Sequence, residues 1–287
     1  MTMIKIIQID SYSGFGGGQQ IMFEIVNGLK DKFDFLIVAP KGIFLKKYCE
    51  SHLRIRELKG KNFFEIIKEI KKIIETESPN ILHIHGTRAA FWTRLALIFL
   101  KRKPKVIYTL HGFHIIRRKF LSKWPLLFLE RFLNCYTDVL VCVSENDKKL
   151  VLKYRTIPEN RIVLIKNGID LERFRVSEEL VKLEKEKLGL GDNFVLTTIG
   201  RLHPPKDFST ILKALKIIIF YNKKVKLLIV GDGPLRKLLE KETENLGLNQ
   251  YVKFLGFRED IPILINLSDI IILSSKWEGL PLLPLDA

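Results

Sequence analysis

Short runs of β-branched and other apolar residues alternate along the chain with longer stretches in which apolar positions recur every three or four residues. The runs IKIIQI (4–9), FDFLIVA (33–39), ILHIH (81–85), KVIYTL (105–110), VLVCVS (139–144) and RIVLIKN (161–167) read as strands. A second series comprises FVLTTIG (194–200), KLLIVG (226–231), VKFLGF (252–257) and IIILSS (270–275). Between them GQQIMFEIVNGLKDK, NFFEIIKEIKKIIETE and DFSTILKALKIIIFYNKK carry the helical period. Strands that are apolar throughout and joined through helices predict parallel sheets covered on both faces, an α/β class.

The pattern is interrupted once. From 171 to 192 the chain reads LERFRVSEELVKLEKEKLGLGD, charged and without strand signal, which predicts a first domain at 1–175 and a second at 176–287. The second ends in LPLLPLDA, where a helix begins, so its sheet is expected to be incomplete, with an exposed apolar edge. The 287 residues, 47% of them hydrophobic, suffice for two cores.

The net charge of +16 implies attraction to phosphates, nucleic acid or an anionic membrane, without choosing among them. No helix-turn-helix, zinc-finger or RNA-binding signature accompanies the charge, so nucleic acid is not expected as a partner. Cys49, Cys135 and Cys142 form no Cys-x-x-Cys pair, which argues against a disulfide framework or a zinc cage and for a reducing, cytoplasmic setting. MTMIKIIQIDSYSG is too short in its apolar part for a signal peptide. Arg94 and Asn266 cut the two longest apolar stretches below the length of a membrane span.

Candidate chemistry clusters at strand ends. GFGGGQQ (14–20) comes directly after the first strand and opens a helix, so Gly16, Gly17 and Gly18 offer bare backbone N–H groups to a ligand. A dinucleotide fingerprint fails, because its sixth position is Gln19 and no acidic residue ends the second strand; a tight glycine turn with no ligand is the alternative. GRLHPPKDF (200–208) puts Arg201 and Lys206 in one loop, suited to a diphosphate, each cation offering about 4 kcal/mol to a unit negative charge at 4 Å in an effective dielectric near 20. A solvated loop is the alternative there. In KWEGLPLLPLDA (276–287), Glu278 can accept hydrogen bonds from sugar hydroxyls beside the amides of Gly279 and Leu280, whereas Asp286 competes with a helix-capping role. His111 closes a strand and can donate to an oxygen; His83 and His85 alternate on another strand, without the carboxylate or cysteine partners of a zinc site. Within 113–132, Arg117, Arg118, Lys119 and Lys123 interleave with Phe120, Trp124, Leu127 and Phe128, which fits either an anionic membrane surface or a buried helix with a basic outer face.

Taken in order, GGGQQ, HIHG, TLHGFH, VCVSEND, IKNGIDLERF, GRLHPPK, LIVGDGP, FLGFREDIPILINLSDIIILSS and WEGLPLLPLDA resemble the nucleotide-sugar glycosyltransferases of family 4, from residue 4 to the last residue. The resemblance implies the GT-B fold, two Rossmann-like doubly wound domains facing each other across a cleft, the first on the acceptor side and the second binding the donor. It implies a glycine loop at Gly16–Gly18, a diphosphate pair in Arg201 and Lys206, a sugar-binding acid in Glu278 and a histidine near the donor sugar in His111. Asp286 stands where the family usually has a ribose-binding glutamate. The implied reaction is retaining transfer from a nucleoside diphosphate sugar, with neither metal nor other cofactor, to a glycan or lipid-linked acceptor of cell-surface polysaccharide synthesis at the inner membrane face. Members continue past the second acidic residue, so the resemblance implies truncation and, as an alternative function, an impaired fragment that only binds a nucleotide sugar or an anionic membrane. Nucleotide-sugar epimerases share the fold, but WEGLPLLPLD at this spacing fits the transferase pattern.

Overall fold

The computed structural model describes residues 3–14, 16–51, 53–117 and 120–287. The chain forms two compact units, Met1–Asn167 and Gly168–Ala287. The division falls ahead of the boundary expected at 175, because Phe174 is tied to the second unit: its carbonyl accepts from Asn266 Nδ2 at 3.0 Å.

In the first unit the elements are β1 (Lys5–Ile9), α1 (Gly17–Leu29), β2 (Asp34–Pro40), α2 (Ile43–Glu50), β3 (Arg54–Leu58), α3 (Phe63–Glu77) and β4 (Ile81–His85). They continue as α4 (Thr87–Ile98), β5 (Lys105–Leu110), α5 (Phe120–Leu133), β6 (Val139–Cys142), α6 (Glu145–Lys153) and β7 (Ile162–Leu164). The seven strands pair in the order β3-β2-β1-β4-β5-β6-β7, all parallel. The order reverses between β1 and β4, which opens a crevice at their carboxyl ends. One face buries Ile7, Ile9, Leu82, Ile84 and Tyr108, and the other packs Ile6, Phe35 and Ile37 under Met22 and Val26 of α1. Of these strands the apolar pattern misses β3, whose sequence RIREL alternates at the sheet edge with only Leu58 buried.

Helix α5 is oriented by a buried ion pair. Arg94 of α4, fully buried, donates to both carboxylate oxygens of Glu130 at 3.0 and 2.8 Å and to Asn134 Oδ1 at 2.6 Å. With Leu127, Glu130 and Leu133 facing inward, the outer side of α5 exposes Trp124, Phe128 and Phe132, four residues apart. Among the described side chains of α5 this outer side is largely aromatic. Lys123 bends back, its ammonium 3.3 Å from Tyr154 Oη, and Arg131 donates to the carbonyl of Arg155. Arg118 and Lys119 lie outside the described residues.

The second unit contains α7 (Glu178–Lys187), β8 (Phe194–Ile199), α8 (Phe208–Tyr221), β9 (Val225–Val230), α9 (Arg236–Asn245), β10 (Val252–Gly256), α10 (Ile261–Asn266), β11 (Ile270–Ile271) and α11 (Leu283–Asp286). Its four parallel strands run β10-β9-β8-β11, and the order reverses at β8. Leu196, Leu227 and Ile229 pack under α8, while Val195, Leu228 and Val230 pack under Leu264 of α10. The run 270–275 pairs only at Ile270 and Ile271, an edge where Ile270 is exposed. In both units the α/β expectation holds.

Two strand ends of this sheet lie in direct backbone contact. A β-carbon on Gly231, whose φ is +123°, would sit 2.1 Å from the carbonyl oxygen of Gly200, and one on Gly233 would sit 2.5 Å from that of Leu202. Gly200 N–H donates to Val230 O at 2.9 Å and Leu202 N–H to Asp232 O at 3.0 Å, fixing the chain on either side of Arg201, and Leu235 N–H donates to Leu202 O at 3.1 Å. Gly231→Ala is expected to cost on the order of 3 kcal/mol through clash and strained φ, read as a lowered urea midpoint at unchanged slope; an unchanged midpoint would contradict this account of the loop.

Candidate functional site

Each unit carries one polar cluster at the carboxyl end of its sheet, at the point where the strand order reverses. In the second unit the cluster is built on the loop after β8. Arg201 is exposed directly beyond the strand, and Leu202, fully buried, anchors the backbone beside it. Arg201 also helps hold the His203 imidazole below its ordinary pKa, after partial burial as the larger cause. Pro204–Lys206 make one tight turn, closed by Lys206 N–H donating to His203 O at 3.0 Å.

The stem of Lys206 crosses Gly200, where a β-carbon would stand 3.3 Å from Cε, and the ammonium reaches Glu278 Oε1 at 2.7 Å. The segment bearing Glu278 is pinned to this turn at three points. Ser274 Oγ donates to the carbonyls of Lys206 and Asp207 at 2.7 and 3.0 Å, and Lys276 N–H donates to Pro205 O at 2.8 Å. Lys206 and Glu278, far apart in sequence, are thus neighbours before any ligand arrives.

The contact between Lys206 and Glu278 is a close ion pair. Glu278 Oε1 is buried and is met by the Lys206 ammonium, whereas the buried hydroxyl of Ser275 has no hydrogen-bond partner among the described residues. Unmet buried polar atoms are costly unless something else meets them. A ligand hydroxyl can donate to Glu278, and Ser275 can donate to a phosphate or sugar oxygen. Ser275 escapes a reading of the sequence because a serine ending an apolar strand looks like turn punctuation. Gly279 and Leu280 succeed Glu278 in the half-buried turn. Asp286 is the last residue of α11, its N–H bonded to Leu282 O at 2.9 Å; it ends that turn and does not cap its start.

In the first unit Gly16 precedes α1 in extended backbone and its carbonyl accepts from Gln20 N–H at 2.9 Å; no side chain among the described residues caps the helix. The early amides of α1, from Gly17 and Gly18 onward, therefore keep their donors. Gln19, which breaks the dinucleotide pattern, folds back so that Nε2 donates to Asp10 Oδ2 at 2.8 Å, and Tyr12 N–H donates to Oδ1 at 2.8 Å. Burial pushes the Asp10 carboxyl up to about 6, against the lowering effect of these bonds.

Gly18 packs against His111: a β-carbon there would lie 3.3 Å from Cδ2. His111 Nε2 lies 3.2 Å from His85 Nδ1, and His85 Nε2 lies 2.7 Å from Gln8 Oε1. His83 turns aside to Thr109 Oγ1 at 2.8 Å. The histidines therefore form a hydrogen-bonded stack, in which His111 is held by the His85 side chain. Burial lowers the pKa of His83 and His111 to about 4 and that of His85 well below its ordinary value, so all three are neutral at neutral pH. The loop after β5 is tied down by Asp147, whose Oδ1 accepts from Phe113 N–H at 2.8 Å. Gln8 and Asp10, two polar residues at alternate positions of an apolar strand, are the sequence signal of this network.

Residues 15–173 match the profile described as Glycosyltransferase Family 4, and residues 181–287 that described as Glycosyl transferases group 1. The chain is 32% identical over 259 residues to the UDP-Gal:alpha-D-GlcNAc-diphosphoundecaprenol alpha-1,3-galactosyltransferase of Escherichia coli, covering 88% of this chain and 65% of the relative. It is 28% identical over 249 residues to the capsular polysaccharide biosynthesis glycosyltransferase CapM of Staphylococcus aureus, covering 84% and 63%. The chain thus spans less than two thirds of the length of these curated relatives. Anabaena HepE, solved in complex with UDP-glucose, superposes with a TM-score of 0.83 at 21% identity, over 95% of this chain and 74% of that one, and so shares its fold. With one profile matching more than half of its residues, this chain belongs to glycosyltransferase family 4.

Proposed function

We propose that this chain transfers a glycosyl group, with retention, from a nucleoside diphosphate sugar to a lipid-linked or membrane-proximal glycan acceptor in cell-surface polysaccharide synthesis. The observation that carries the reading is the second-unit cluster: two cations, Arg201 and Lys206, in one braced loop, with the Glu278 carboxylate against Lys206 and the buried Ser275 hydroxyl without a hydrogen-bond partner among the described residues. It is supported by the UDP-galactose donor and diphosphoundecaprenol-linked acceptor in the name of the Escherichia coli relative.

In this proposal Arg201 grips the diphosphate bidentately and Lys206 adds a point charge. Glu278 accepts from donor-sugar hydroxyls, flanked by the amides of Gly279 and Leu280, and Asp286 is assigned to the ribose. The bond from the anomeric carbon to the phosphate oxygen breaks as the bond to the acceptor oxygen forms on the same face. The acceptor's proton passes to the departing phosphate oxygen. Negative charge grows on the diphosphate in this step, so fixed cations there lower the barrier without reorganisation, and no metal is assigned to that task. From the first unit, Gly16, Gly17 and Gly18 offer amides to the donor and His111 contacts the donor sugar.

The membrane-proximal acceptor is supported by α5, where Phe128 is 74% and Trp124 52% exposed in one aromatic stripe. Such rings enter the headgroup region while nearby basic residues meet anionic lipid. No helix among the described residues is long and apolar enough to cross a membrane.

Two measurements test the proposal. In an assay of transfer from nucleoside diphosphate sugars to a diphosphate-lipid-linked sugar, Arg201→Ala is expected to lower kcat/KM on the order of 10²- to 10³-fold with the unfolding midpoint unchanged; wild-type rates in the variant would sink the assignment. In co-sedimentation with vesicles containing phosphatidylglycerol, Phe128→Ser is expected to weaken binding about tenfold, near the value of one large apolar side chain leaving the membrane. Equal binding by both proteins would remove α5 as the contact.

A further inference from the structure

The Gln8–His85–His111 chain is a buried polar feature that the donor grip does not require. Gln8 and His85 are each 1% exposed, in the centre of a sheet face otherwise packed with Ile6, Ile37 and Met22. Burying an amide and two imidazoles there is costly unless each finds a partner, and each does. The direction of the bonds is set by the donors available. Gln8 presents its carbonyl oxygen Oε1 to His85 Nε2 at 2.7 Å, so the proton of that bond sits on Nε2. A neutral imidazole carries one proton, which leaves His85 Nδ1 as an acceptor. The proton in the 3.2 Å contact with His111 then belongs to His111 Nε2. His111 is neutral in turn, so its Nδ1 is unprotonated.

We propose that Gln8 and His85 are positioning residues that hold His111 as its Nε2–H tautomer, making His111 Nδ1 an acceptor for a hydroxyl of the donor sugar. This inverts the donating role read from the sequence for His111, and it rests on the assignment of His111 to the donor sugar. One consequence concerns specificity. A site that accepts a hydrogen bond discriminates against donor sugars lacking that hydroxyl, because the acceptor is then left without its partner. A second concerns Gly18, which leaves His111 the room to keep this orientation.

The tautomers are read from two-bond proton–nitrogen correlation spectra of the imidazoles in the full chain at neutral pH, without substrate. For His85 and His111 the wild type is expected to show a protonated Nε2 and a pyridine-type Nδ1. Gln8→Met keeps the length of the side chain but removes the acceptor, and is expected to move the His111 Nδ1 resonance toward the protonated type and to lower kcat/KM. Gln8→Glu restores an acceptor and is expected to restore both. A protonated Nδ1 on wild-type His111, or a His111 tautomer that is the same in Gln8→Met, would overturn the relay. Should the tautomer move while Gln8→Met and His111→Ala both transfer at wild-type rates, the relay would stand and the sugar-hydroxyl role of His111 would fall.

Discussion

Parallel strands covered on both faces leave their carboxyl ends as the natural place for polar side chains and backbone donors to meet a ligand, and this constraint organises both units. In the first, Asp10 directly follows β1, His85 ends β4 and His111 directly follows β5. In the second, Gly200 and Arg201 directly follow β8, and the chain after β11 leads to Ser275 and Glu278. The hydrophobic cores below supply rigidity, and the reversal of strand order supplies the opening. Binding groups placed there inherit the precision of the sheet, and glycine contacts such as Gly231 on Gly200 transmit that precision into the loops.

The two clusters are prepared differently. The second-unit cluster is electrostatic and partly solvated: Lys206 rests against Glu278, so the cation is oriented before a phosphate arrives while its charge is partly offset. In the proposed function a diphosphate with more than one negative charge competes for that ammonium, and the released carboxylate turns to hydroxyl groups. The first-unit cluster is buried and neutral. Its imidazoles lie too deep to be charged near neutral pH, so the fold controls their hydrogen-bond direction rather than their charge.

Much of this is legible in the sequence. Fully buried strands announce themselves as unbroken apolar runs, which is why β1, β2, β4, β5, β8 and β9 read close to their observed limits. Edge strands bury little and lose that signal: RIREL is missed, and IIILSS reads four residues too long. Arg201, Lys206, Glu278 and His111 can be named from residue type and position at strand ends. The pairing of Lys206 with Glu278 cannot, because it depends on how two loops are stitched by Ser274 and Lys276. Gln8 and Asp10 signal a polar network in the sequence, but its partners stay hidden, since the alignment of Gln8 with His83, and of His85 with Thr109, exists only once the strands are in register.

The central claim is that the braced loop of Arg201 and Lys206 is a diphosphate grip. The measurement that tests it most directly is calorimetric titration of the chain with UDP, GDP and ADP, each compared with its monophosphate and repeated at low and high salt. The account predicts that one diphosphate binds more tightly than its monophosphate by at least about tenfold, that rising salt weakens this preference, and that Lys206→Ala removes most of it. Equal affinity for mono- and diphosphate, insensitive to salt and to Lys206→Ala, would contradict it.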